Sequence, residues 1–149
     1  MVNWGNMNTV NSISTLLIQH IRKALGQESR VLAAYIVGSV VTGQDVKDSD
    51  FDLAVVVENR HIVSHDHIYT LLQQISFPKN LDLSLVDKSS SPLFLFQIVS
   101  KGKLIYETFR QSTVEFEVYV LKNYYDTQRM RNTYHYYLKN KFGSTTYAH

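Results

Sequence analysis

Apolar residues at Ile13, Leu16, Leu17, Ile21, Ala24 and Leu25 fall on one face of a 3.6-residue spiral. The spacing predicts a helix that opens at cap candidates between Asn8 and Ser12 and ends at Gly26. The pattern then changes period. VLAAYIV (31–37) is almost continuously apolar and reads as a buried strand ending at Gly38-Ser39; FDLAVVV (51–57) reads as a second. A helix is expected over 61–75, burying Ile62, Ile68, Leu71, Leu72 and Ile75. LDLSLV (81–86) alternates with period two, a third strand.

Ser91-Pro92 opens a further helix that runs to Ser100 and closes at Gly102, with proline at its first position. Lys103 to Tyr106 reads as a short edge strand. Ser112-Thr-Val-Glu115 has the form of a capping box, opening a long helix to about Leu138. Val114, Val118, Leu121 and Tyr125 are its expected core positions. Helices alternating with short strands predict an α/β (α+β) domain, a small mixed sheet covered by helices.

The 149 residues, 44% hydrophobic, suffice for one domain over 1–149, and no linker or repeat divides them. Lys and Arg total 15 against 13 Asp and Glu, a balance that does not suggest a duplex nucleic-acid binder. With no cysteine there is no disulfide, thiolate metal site or thiol catalysis. The sequence lacks a signal-peptide pattern and an apolar run of spanning length, so the expected location is cytoplasmic, away from membranes.

Four aspartates, Asp45, Asp48, Asp50 and Asp52, lead into the second strand. Strand residues two apart share a face, so Asp50 and Asp52 project together. In the third strand Leu81, Leu83 and Leu85 share one face and Asp82 lies on the other. If the two strands are neighbours, three carboxylates converge. Such a group repels itself unless a cation intervenes, and oxygen-only donors favour Mg²⁺ or Mn²⁺. Gly38-Ser39 ends a strand where free amides attract phosphate, and Gly43 permits a tight return. A calcium loop is excluded by Leu53 in the place of the required glycine and Asn59 in the place of the glutamate; a Walker loop is excluded because GSVVTGQD lacks Gly-Lys-Ser/Thr.

Gly38-Ser39, ten residues, then Asp50-Phe-Asp52 resembles the GS-x10-DxD signature of the nucleotidyltransferase superfamily related to DNA polymerase β. The short chain, SPLFLFQIVSKGKLIYE and the helix containing YYDTQRMRNTYHYYLKNKFG resemble the minimal nucleotidyltransferases that serve as antitoxins of HEPN-domain toxins. The resemblance implies the nucleotidyltransferase fold, with Gly38, Ser39 and Gly43 at the triphosphate. It further implies Asp50, Asp52 and Asp82 as catalytic residues around two Mg²⁺ ions. The implied reaction is transfer of AMP from ATP to a tyrosine hydroxyl of a cognate HEPN RNase toxin. Two alternatives are an antitoxin that acts by binding alone and a small-molecule (aminoglycoside-type) nucleotidyltransferase. One departure is Val40-Val41-Thr42, where family members often carry arginine; triphosphate binding then falls to backbone amides or a cation elsewhere.

His61 and His65 have helical i, i+4 spacing but no third ligand, and read as a solvated helix start. Six of the ten tyrosines and a basic run from Lys122 to Lys141 lie in the last helix. That mixture suits a protein interface, and the helix, about 112–141, is expected to carry the HEPN partner on its distal part.

Overall fold

Strands with no outward polar alternation need cover on both faces, and VLAAYIV receives it. The computed structural model describes residues 13–38, 41 and 50–143. Along these, α1 (Thr15–Leu25), β1 (Val31–Val37), β2 (Phe51–Val57), α2 (His65–Leu72), β3 (Leu81–Val86), α3 (Pro92–Lys101), β4 (Lys103–Glu107) and α4 (Arg110–Phe142) follow in order. The sheet order is β3-β2-β1-β4. β1 is antiparallel to both β2 and β4, while β2 and β3 are parallel, joined by the crossover through α2. This is the expected α+β architecture, with a mixed sheet and a long last helix.

One face of the sheet, with Phe51, Leu53, Val55, Leu83 and Ile105, packs on Leu17, Ile21 and Leu25 of α1 and on Ile68 and Leu72 of α2. Leu81 and Leu85 border the same core, so the leucine face of the third strand lies where alternation puts it. The opposite face holds a second core in which Tyr35, Ala54, Val56 and Val86 meet Leu95 and Ile98 of α3 and Phe116 and Val120 of α4. The carboxylate-bearing face is thus polar only at its end.

Several local expectations change. Asn8 to Ser12 lie outside the described residues, and Ser14 occupies the cap position of α1 without a side-chain bond. Leu16, expected in the core, is 59% exposed. The second helix begins only at His65, because the Ser64 hydroxyl accepts from the His67 amide at 3.1 Å; Ile62 precedes it and is exposed.

The capping box does not form. Thr108 is tied back to β1, its amide donating to the Leu32 carbonyl at 3.0 Å and its hydroxyl to that of Val31 at 2.7 Å. The helix therefore starts at once, at Arg110, with Ser112 already inside it; Glu115 accepts from the Gln111 amide group at 3.1 Å instead.

α4 also turns a different face inward. Thr113, Phe116 and Val120 are buried, whereas Val114, Val118, Leu121 and Tyr125 are exposed, Val118 by 58% and Tyr125 by 59%. Both sets obey helical spacing. The choice is made by Tyr35, a buried β1 side chain whose hydroxyl donates to Glu117 at 2.7 Å. Leaving that hydroxyl unpaired would cost about 1–3 kcal/mol, and bringing Glu117 to it rotates Phe116 and Val120 onto the sheet. Further along, Tyr124 stacks on Phe96 with ring centres 3.8 Å apart, and Arg131 lies over Tyr124.

Two buried carboxylates brace the domain. Glu28 accepts from the Arg30 amide, Nε and Nη2 at 3.0, 2.8 and 2.9 Å, and lies 2.9 Å from His67 Nε2. Asp87 accepts from the Arg60 amide at 2.8 Å and the Ser89 hydroxyl at 2.6 Å. No helix among the described residues is long and apolar enough to cross a membrane.

Candidate active site

The parallel register of β2 and β3 places Asp52 directly beside Asp82. In a parallel pair, partnered residues project to the same face, so both carboxylates lie at the end of the sheet face covered farther along by α3 and α4. Asp50 is exposed, just before β2. Asp52 is half-buried, and its carboxyl is held above the ordinary aspartate value. The largest cause is burial, followed by the charge of Asp82, a hydrogen bond with the Asp82 carboxyl, and the charge of Asp50. Asp52 therefore feels both of the other predicted carboxylates, Asp82 beside it across the register and Asp50 just before the strand.

The antiparallel register of β1 and β2 sets Val37 opposite Asp52, and the next residue is Gly38. Its φ is +80°, a left-handed conformation. A Cβ at Gly38 would fall against Oδ2 of Asp52. Glycine is required here twice over, for its backbone angle and to leave room for a carboxylate. The turn is closed by the Val41 amide donating to the Gly38 carbonyl at 3.2 Å. Ser39 and Gly43 lie outside the described residues, as do Asp45, Asp48, Val40 and Thr42.

The donor set fits a hard divalent cation. It is all oxygen, and two of its members stand side by side across the strand register, where a divalent charge would relieve their mutual repulsion. Among the described residues, no trio of Asp, Glu or His is drawn together at metal-holding distance. The histidines take other roles: His65 Nε2 is 3.0 Å from the Leu83 carbonyl, and His67 pairs with Glu28. The sequence reading missed the Tyr35–Glu117 pair. Its only signal was a tyrosine within an otherwise aliphatic strand.

The family model described as "Polymerase beta, Nucleotidyltransferase" matches residues 19–111. No curated protein matches the chain. Solved structures do. A mutant of the toxin–antitoxin MntA-HepT is similar at 23% identity and a TM-score of 0.65, covering 78% of this chain and 93% of that one. A toxin–antitoxin structure with AMP-PNP is similar at 24% identity and a TM-score of 0.62, with the same coverage. A tri-AMPylated HEPN toxin of Shewanella oneidensis in complex with its MNT antitoxin gives 23% and 0.60, covering 79% and 92%. At these identities the likeness to the solved structures is one of fold.

Proposed function

On the premise that this chain belongs to the polymerase β-type nucleotidyltransferase family, we propose that it is an antitoxin that transfers AMP from ATP to a tyrosine hydroxyl of a HEPN-domain toxin. The reading is carried by the lateral pairing of Asp52 with Asp82, with Gly38 opening the space beside them. Solved relatives whose names describe a HEPN toxin, AMPylation and AMP-PNP support the acceptor and donor.

Asp50, Asp52 and Asp82 would hold two Mg²⁺ ions. When bound, these would supply Lewis-acid stabilisation of the triphosphate and of the departing pyrophosphate. Gly38, Ser39 and Gly43 would place backbone amides at the phosphates. The tyrosine oxygen attacks the α-phosphorus, the bond to the bridging β-phosphate oxygen breaks, and pyrophosphate leaves. Asp82 takes the phenolic proton and passes it to solvent. Asp52, the most enclosed of the three, orients the site. The distal part of α4 docks the partner, and the exposed stripe of Val114, Val118, Leu121 and Tyr125 extends that surface towards the sheet.

The stripe also favours a second reading, in which complex formation alone neutralises the toxin. Incubating the chain with its HEPN partner and Mg²⁺-ATP, followed by intact-mass measurement of the partner, separates the two. Mass increments of AMP that vanish in the Asp52→Asn/Asp82→Asn variant support transfer. An unmodified partner held in a stable complex supports binding alone.

A further inference from the structure

Behind the catalytic sheet face lies a groove of about 840 Å³ between α1, the end of α2 and the segment 73–79. Its volume falls within the range of small-molecule sites. Leu17, Ile75 and Phe77 form an apolar floor, and Phe77 is backed by Phe51, with ring centres 5.2 Å apart. The rim carries His20, Lys23 and Lys79, while Gln27 and Gln74 add amide groups. Among the described lining residues none is acidic. Leu16 stands beside the floor, largely exposed.

We propose that this groove is a second ligand site and that its occupant is a nucleotide bound without metal. The Phe77 ring in the floor offers a π-face to a base, with stacking worth about 1–3 kcal/mol per base. Glutamine amides present both donors and acceptors to a base edge, and Lys23 with His20 beside it on the rim matches a phosphate. The carboxylates lie on the other face of the sheet. This site therefore differs in kind from theirs, being cationic where the other is anionic. The two communicate through Phe51, which sits between Asp50 and Asp52 in sequence, and through Lys79-Asn80, since the Phe51 amide donates to the Asn80 carbonyl at 2.8 Å. A nucleotide in the groove braces the start of β2 and β3, where the carboxylates are held.

The proposal stands independently of the transfer reaction. It is tested by titrating the full chain with ADP in EDTA, which removes any metal-dependent binding, using calorimetry and amide chemical-shift mapping. The expected result is saturable binding with shifts at Gln27, Gln74 and Phe77. Lys23→Glu, on an exposed position, weakens it about tenfold or more, the scale of one lost charge contact near a surface. Asp82→Asn leaves it within about twofold. Absence of saturable binding, equal affinity in Lys23→Glu, or loss in Asp82→Asn overturns the proposal. So does an alkyl anion such as octanoate displacing ADP at lower concentration than AMP does.

Discussion

Gly38 is the residue at which backbone and chemistry meet most closely. Replacing it with alanine forces a side chain into a left-handed conformation, costing about 1–2 kcal/mol, and drives the new methyl towards the Asp52 carboxylate. Gly38→Ala is therefore expected to lower the unfolding midpoint modestly and to abolish transfer; thermal denaturation and a labelled-ATP assay read the two effects separately. Asp52→Asn and Asp82→Asn should each reduce transfer at least about a thousandfold, several kcal/mol of transition-state stabilisation, with the circular-dichroism spectrum unchanged.

Glu28 makes the pH prediction. The bidentate Arg30 guanidinium, the Arg30 amide and His67 outweigh burial and bring its pKa down to about 2 from an ordinary 4.5. A depressed carboxylate stabilises the fold fully above its unfolded pKa and loses that contribution as pH falls through the folded one. Acid unfolding should thus show a stability loss beginning near 4.5 and continuing to about 2. Glu28→Gln should make that slope shallower, leaving the share of the similarly depressed Asp87, as chemical denaturation across the pH series would show.

At the scale of elements, α4 separates two kinds of apolar residue by rotation about its own axis. Phe116 and Val120 face the sheet, while Val118 and Tyr125 face outward. Phe116→Ala should cost about 3–5 kcal/mol in urea denaturation, through lost burial and the cavity left behind. Val118→Glu should leave stability within about 0.5 kcal/mol and weaken the complex with the HEPN partner, measured by calorimetry. If Val118→Glu unfolds the chain, the outward face is not a docking surface. The same helix starts ahead of its capping-box sequence. Ser112 and Glu115 have capping-box spacing, but Thr108's two bonds to β1 end the strand and begin the helix before the box can act.

For the whole molecule, the proposed function puts catalysis and partner recognition on different parts. The carboxylates sit at the end of one sheet face, and α4 runs 33 residues, from the sheet past α3, about 50 Å at 1.5 Å per residue. Chelation with EDTA is expected to stop AMP transfer while leaving the partner complex intact, seen as an unmodified mass in the partner and an unchanged elution volume for the pair. Loss of both together would mean that the metal site also organises the docking surface.

The sequence by itself determined the strands, their faces and the GS-x10-DxD constellation. Alternation and strand-ending glycine are local properties, and a period-two pattern assigns Asp52 and Asp82 to a face before any partner strand is known. The tertiary structure alone decided that β2 and β3 lie side by side, which is what makes two carboxylates a pair. It also decided which of two equally periodic faces of α4 turns inward, because that depends on the buried Tyr35 hydroxyl finding Glu117 from 82 residues away. Helical periodicity carries no information about such a distant hydrogen bond. The rear groove is of the same kind: Lys23 joins Phe77 and Lys79 only when α1 packs against the chain leading into β3.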